Sequence, residues 1–370
     1  MIRTVTIIHP GSLGDVLLSL SAIRALRASL PGRRIGLLAG REVGGLLQAA
    51  GEIDRLFPLE GDALASLLAG PAQPRSQGPV GESFCDWLSH CDLAVGWMGD
   101  PDGQLAGRLS ELGVGRVMVR SPHSEDCRAT HQADRFMETV QEIQSARLQA
   151  RRLRLPEEVL ATARARLETV GALRQPKQPL VFVHPGSGSP HKCSEPALSA
   201  RLVDWLQTQG AVPMLVGGPA DSEQLEEVAG LCAGHPPVFQ GLDLLSVGGL
   251  LAQVDLFLGH DSGLTHLAAA LHVPTIAIFG PTDCNRWAPT GPHVTVLNGA
   301  PCPCREQGWP VVQQCRSKPC LQVQAERLIL ACRQRLQRPE DFQQEQQTVS
   351  SASCHVRGRY ARLPNRFCQN

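Results

Sequence analysis

Residues 259–282 read G-H-D-S-G-L-T-H-L-A-A-A-L-H-V-P-T-I-A-I-F-G-P-T. An apolar run, Val254 to Leu258, leads into this stretch and has the character of a buried strand. A small polar turn follows, then a helix over Leu264–Leu271, then a second apolar strand at Thr275–Phe279. Strand, tight turn, helix and strand make the βαβ unit of a parallel sheet. The turn sets Asp261, Ser262, Gly263 and Thr265 at a helix N-terminus, with His266 in the first turn. Amides without intrahelical partners and the positive end of the helix dipole favour an anion there, so the stretch suggests a phosphorylated ligand.

The alternation extends in both directions. Strands are expected at Thr4–His9, Arg34–Ala39, Leu93–Trp97 and Arg116–Arg120, and again at Leu180–His184, Pro213–Gly217 and Val238–Phe239. Amphipathic helices fill the intervals, the first over Gly14–Ser29 with Val16, Leu17, Leu20, Ile23 and Leu26 on one stripe. A chain of 370 residues fits two such domains. The Pro-containing linker Gln175–Pro179 marks the boundary: 1–174 forms one domain and 179–336 the other. Residues 337–370, rich in Gln, Ser and Arg without periodicity, read as a disordered tail. An internal echo supports two similar halves. Thr6-Ile7-Ile8-His9-Pro10-Gly11-Ser12 and Val181-Phe182-Val183-His184-Pro185-Gly186-Ser187 are each a strand ending in H-P-G-S. Ligands of such sheets bind beyond the carboxyl ends of the strands.

Formal net charge is zero, which argues against nucleic acid as an electrostatic partner. The N-terminus runs from a strand straight into a loop and does not read as a signal peptide. No apolar run reaches the length of a membrane span. The expected location is cytoplasmic, so most of the 13 cysteines read as core or surface thiols. Of 35 basic residues only Lys177, Lys192 and Lys318 are lysines, which singles out a lysine in a loop.

Four loops carry candidate chemistry. The first, Gly11-Ser12-Leu13-Gly14-Asp15, is not a G-x-G-x-x-G dinucleotide fingerprint. Asp15 there is either a first-turn carboxylate that stabilises the helix or a general base. The second, His184 to Pro196, offers Ser187, Ser189 and Lys192 to a diphosphate; the plainer reading is a solvated loop with a cap at Ser194. In the third, Gly217 to Glu223, Asp221 or Ser222 is a natural N-cap, and Glu223 is placed to accept from ribose hydroxyls. In the fourth, Asp261 either caps the helix or meets a sugar hydroxyl, and His266 either packs under the sheet or donates to phosphate. Cys302, Cys304, Cys315 and Cys320 form a further cluster whose spacing is not a standard zinc pattern. Free thiols, a redox pair and a metal site all fit it.

Taken together these motifs resemble glycosyltransferase family 9, the ADP-heptose:lipopolysaccharide heptosyltransferases, over roughly residues 3–335. The resemblance rests on G-S-L-G-D-V-L-L-S-L-S-A-I-R-A-L from Gly11, H-Q-A-D-R-F at His131–Phe136 and H-P-G-S at 184–187. It rests further on G-G-P-A-D-S-E at 217–223 and D-S-G-L-T-H through F-G-P-T to Trp287. Ser21 departs from it, where many relatives have Pro. The family implies an α/β fold of the GT-B class, two Rossmann-like domains with parallel sheets facing across a cleft. It implies an acceptor-binding N-terminal domain and a nucleotide-sugar-binding C-terminal domain. Its chemistry is inverting and needs no metal or other cofactor beyond the ADP-sugar substrate. Carried over, Asp15 is the general base beside the acceptor-side loop of Gly11, Ser12 and Gly14. Ser187, Lys192, Asp261, Ser262, Gly263 and His266 bind the donor, Glu223 holds its ribose, and Leu242 meets adenine through backbone. The partners implied are the donor and a lipid-linked or oligosaccharide acceptor, with peripheral contact at the inner membrane. Loops 60–83 and 121–131 would shape the acceptor site, where Arg75, Arg120 and Arg128 either meet an anionic lipid-linked sugar or belong to a solvated surface. The alternatives are a GT-B enzyme using another nucleotide sugar, a non-catalytic nucleotide-sugar-binding protein, and a dehydrogenase, the last disfavoured by the missing fingerprint.

Overall fold

Two parallel sheets organise the chain. A computed structural model describes residues 3–61, 63, 67, 83–123, 130–143, 151–172, 175 and 178–336. These divide into two compact units after Arg164, with Leu242–Leu250 grouping with the first. The first unit holds β1 (Thr4–Ile8), β2 (Arg34–Ala39), β3 (Arg55–Pro58), β4 (Cys91–Gly96) and β5 (Arg116–Val119), in the spatial order β3-β2-β1-β4-β5. The second holds β6 (Leu180–His184), β7 (Val212–Gly217), β8 (Val238–Gln240), β9 (Leu256–His260), β10 (Thr275–Ile278) and β11 (Val294–Leu297), ordered β11-β10-β9-β6-β7-β8. Among the described residues every pair of these strands is parallel.

Parallel neighbours require crossovers, and helical crossovers cover both faces of a sheet. The central strands are therefore buried throughout: β1, β6 and β9 are buried at every residue. This is why they read as apolar runs rather than as alternations. Full burial of a side chain such as Ile7, Val183 or Phe257 contributes on the order of 1.5–3 kcal/mol. The threonines of β1 are satisfied locally. Thr4 Oγ1 donates to the Trp87 carbonyl at 3.0 Å, and Thr6 Oγ1 accepts from Trp87 Nε1 at 3.1 Å. Gly36 on β2 leaves the room this indole needs, since a Cβ there would lie 2.7 Å from the ring. Glu52 is buried against Arg24, which reaches its two oxygens at 2.7 and 3.0 Å. Burial opposes the Glu52 charge, but the Arg24 hydrogen bonds and charge, joined by Arg151, hold its carboxyl below the usual range.

The stretch 259–282 folds as its pattern implies. β9 is followed by the helix Gly263–Ala270 and then by β10, and β9 and β10 pair directly with Leu258 opposite Ile276. Other expectations shift. The helix read over Gly14–Ser29 is two, Leu13–Leu18 and Leu20–Ser29. At the break, buried Ser19 donates its hydroxyl to the Val16 carbonyl at 2.7 Å, and its amide is shared between the Asp15 and Val16 carbonyls. The strand β11 and the short helices Phe84–Leu88 and Cys284–Trp287 were not anticipated. Cys284 is disulfide-bonded, an exception to the reading of the cysteines as thiols. Among the described residues no helix is long and apolar enough to cross a membrane. The expected tail 337–370, Arg75, Arg128 and most of loop 60–83 lie outside the described residues. So do 124–129 of loop 121–131 and two residues of the linker 175–179.

Candidate functional site

In each sheet the order of strands creates a switch point beside the first strand, between β1 and β4 and between β6 and β9. Crossovers leave in opposite directions there, so the loops part and open a crevice beyond the strand ends. Both H-P-G-S loops emerge at these points, and the histidine that closes each strand is buried: His9 is fully covered and His184 nearly so.

In the second unit His184 is the hub. Its Nδ1 lies 3.1 Å from Ser262 Oγ, and its Nε2 lies 3.1 Å from Asp221 Oδ2. Asp221 also accepts from the Gly218 amide at 2.8 Å. Burial works against its charge, but His184 and the Gly218 and Ser187 amides hold the Asp221 carboxyl below the ordinary range. Gly186 passes so close that a Cβ would fall 2.0 Å from Asp221 Oδ1. Ser262 is the N-cap of Gly263–Ala270 and accepts from the Thr265 amide at 3.4 Å. Thr265 Oγ1 donates to the His260 carbonyl at 2.5 Å, and Ser187 Oγ donates to the Asp261 carbonyl at 2.6 Å. Three loops are thus locked together around the N-terminus of one helix.

Charge is concentrated at the same place. Lys192 Nζ stands 2.8 Å from Asp261 Oδ2, an ion pair lying off the line of a hydrogen bond. Asp261 is buried and Lys192 half-buried. Lys192 also sits 6.0 Å from the centre of the Trp309 ring. His260 lies beneath the loop, where its Nε2 accepts from the Ser194 amide at 3.0 Å. That bond requires an unprotonated Nε2. Burial, helped by His184, pushes the ring down to about 4, against the opposing pull of the Gly186 and His184 backbone and Asp261.

In the first unit Asp15 belongs to a capping box. Its Oδ2 accepts from the Ser12 amide at 2.9 Å and the Ser12 hydroxyl at 2.7 Å. Gly11 is wedged between His9 and Asp15, for a Cβ would lie 2.7 Å from the imidazole and 2.8 Å from Asp15 Cβ. The Gly11 amide donates to His9 Nδ1 at 3.2 Å. Trp97, just past β4, and Phe136 pack on His9 with ring centres 5.5 and 5.1 Å away. Burial in this apolar nest pushes His9 down to about 4, outweighing the nearby Asp15 charge.

The expected donor residues Ser187, Lys192, Asp261 and Ser262 therefore come together, with Gly263 opening the helix and His266 buried in its first turn. Asp261 is not the cap; Ser262 is. Glu223 stands apart from the network, exposed in the first turn of the helix Ser222–Leu231. Leu242 is half-buried in the segment that groups with the first unit. Gly14 is buried inside Leu13–Leu18. Arg120, expected to face an acceptor, pairs with Glu138 at 3.0 Å. Sequence reasoning passed over His184, Asp221 and His260 as organisers. The repeated H-P-G-S was the signal for His184; Asp221 read only as a helix cap, because its bond to His184 joins residues far apart in sequence.

The profile of glycosyltransferase family 9 (heptosyltransferase) matches residues 111–315. Lipopolysaccharide heptosyltransferase 3 of Escherichia coli is 32% identical over 117 residues, 30% of this chain and 34% of that protein. Lipooligosaccharide heptosyltransferase 2 of Haemophilus influenzae is 30% identical over 109 residues, 26% of this chain and 30% of that protein. These matches span about a third of the curated relatives' length. A solved family 9 glycosyl transferase from Veillonella parvula superposes with a TM-score of 0.73 at 18% identity, covering 90% of this chain and 97% of that one. E. coli ADP-heptose lps heptosyltransferase II gives 0.68 at 18% identity, covering 90% and 98%. The likeness takes in both sheets, and the fold is the two-Rossmann-unit GT-B class of these structures. With the family profile over more than half its length, the chain belongs to glycosyltransferase family 9 (heptosyltransferase).

Proposed function

We propose that the protein is an inverting glycosyltransferase that moves a heptose from ADP-heptose to a lipopolysaccharide-core-type acceptor, with no metal in the chemical step. One observation carries the reading. Lys192, Ser187 and the capped N-terminus at Ser262–Gly263 meet at one switch point, as a departing diphosphate requires. The ADP donor is supported by solved E. coli heptosyltransferase WaaC with ADP and with ADP-2-deoxy-2-fluoro heptose, both sharing the fold.

In this reading 179–336 binds the nucleotide sugar and 1–174 the acceptor. Asp15 takes the proton of the acceptor hydroxyl as that oxygen bonds to the anomeric carbon. The bond from this carbon to the ADP oxygen breaks on the opposite face, and ADP leaves with the electron pair. Lys192 exchanges its Asp261 contact for the diphosphate, and Asp261 is left to accept from sugar hydroxyls. His266 donates to phosphate, Glu223 holds the ribose and the Leu242 backbone meets adenine. The enzyme works in the cytoplasm, in peripheral contact with the inner membrane that carries its acceptor.

A thermal-shift screen with ADP-, UDP- and GDP-sugars tests the donor. Stabilisation by ADP-heptose above the other classes is expected; a shift with UDP-sugars alone would sink the reading in favour of another nucleotide sugar.

A further inference from the structure

The segment between β11 and the helix Ala325–Leu336 contains no strand. It is a chain of short turns, with Pro303–Arg305 and Pro319–Leu321 as single 3₁₀ turns around the helix Trp309–Gln314. Long, largely irregular stretches inside a compact unit are uncommon and are usually either functional or disordered. The ends of this one meet: the Gly299 amide donates to the Cys320 carbonyl at 2.8 Å and the Ala300 amide to the Pro319 carbonyl at 3.0 Å. That closure gathers cysteines from both ends. The sulfurs of Cys302, Cys304 and Cys315 all lie within 4.8 Å of one another. Cys302 Sγ is 2.8 Å from Cys304 Sγ and 4.0 Å from Cys315 Sγ. Cys320, outside that trio, is a near electrostatic neighbour of Cys302 and Cys315.

We infer that Cys302, Cys304, Cys315 and Cys320 form a tetrahedral thiolate site for one zinc-class ion, which staples this segment. Four sulfurs at about 2.3 Å from a central zinc stand roughly 3.8 Å apart, within the spread of the Cys302, Cys304 and Cys315 sulfurs, and Cys320 is the neighbouring thiol that would complete the tetrahedron. Thiols are weak hydrogen-bonding groups and do not by themselves draw three sulfurs together. Soft sulfur ligands select zinc over magnesium or calcium. Two further features suit a metal. The Lys318 backbone amide neighbours the Cys315 sulfur, the kind of group that orients a thiolate ligand. Lys318 itself is held at φ +40°, a left-handed conformation costly for a residue with a side chain and adopted just where the chain turns back on Cys315. Binding is simple exchange: each ligating thiol gives its proton to solvent as its sulfur bonds the ion. The stapled segment also carries Trp309, which covers Lys192, and Lys318, whose Nζ donates to the Pro190 carbonyl at 2.9 Å. The ion would thereby steady the lysine loop without entering the chemistry.

The test is elemental analysis of the full chain purified without chelator, together with cobalt substitution. About one zinc per chain, and a thiolate-to-cobalt charge-transfer band on exchange, are expected. Cys302→Ser with Cys315→Ser should lower the bound metal at least about tenfold, while the exposed Cys85→Ser keeps it. Should the double variant fail to fold, alkylation mapping of the unaltered chain decides. Cys302, Cys304 and Cys315 should resist iodoacetamide until chelator is added, whereas Cys85 reacts throughout. Metal-free protein with all of these thiols reactive, a Cys302–Cys304 disulfide on peptide mapping, or full metal content in the double variant would each overturn the inference.

Discussion

Gly186→Ala is the sharpest probe of the second unit's network. The new Cβ would lie 2.0 Å from Asp221 Oδ1, 2.3 Å from its Cγ and 2.7 Å from its Cβ. Ordinary contact needs more than an ångström of extra room, and the Asp221 carboxylate has none to give. It is held by the Gly218 amide at 2.8 Å and by His184 at 3.1 Å. Displacing it breaks both bonds. Hydrogen bonds to a charged group are worth about 1.5–3 kcal/mol each, so the cost is about 3 kcal/mol at the least. In a unit of this size about 1 kcal/mol moves Tm by roughly 2–4 °C, which puts the expected loss at roughly 6–12 °C. Gly188→Ala is the matched control, since nothing lies within 4 Å of a Cβ there. Differential scanning fluorimetry reads the stability, and ADP binding reads the site, because a freed His184 no longer anchors the Ser262 cap. If Gly186→Ala melts within a degree or two of the unaltered protein and binds ADP equally well, Asp221 does not hold the three loops together.

Asp15→Asn should lower kcat by about 10²- to 10⁴-fold while leaving donor affinity unchanged, and weakening of the capping box should cost about 1 kcal/mol. Unchanged transfer with normal donor binding would leave Asp15 as a helix cap alone. His9 and His260 each drop from 6.5 to about 4 on folding. Between those values the unfolded chain binds protons that the folded chain refuses, so stability should rise with pH from about 4 to 6.5 and be lost on acidification through that window. At about 1.4 kcal/mol per unit, each histidine accounts for roughly 3 kcal/mol at the acid end. Urea titrations across that window measure the slope; His260→Gln should flatten it, and an equal slope in that variant would place the buried protonation elsewhere.

Much of the fold was legible because a doubly covered parallel sheet demands apolar runs, and T-V-T-I-I, L-V-F-V-H and the stretch from Leu256 supply them. β11 was harder to see. It is an edge strand whose first three residues are only half-buried, so its four residues lack the apolar signature of the centre. The split at Ser19 depends on a local side-chain bond that helical periodicity does not report.

The sequence by itself determined the βαβ units, the two halves, the loops at helix N-termini, and Lys192, Ser187, Asp261 and Ser262 as the residues to watch. Those follow from periodicity and turn chemistry, which act over a few residues. The tertiary structure alone decided the strand order, and with it which loops share a switch point. It made His184 the link between Asp221 and Ser262, 37 and 78 residues away. It paired Lys192 with Asp261 and brought Cys302 and Cys304 against Cys315. Such contacts are set by how the strands pack side by side, and separation along the chain carries no record of that.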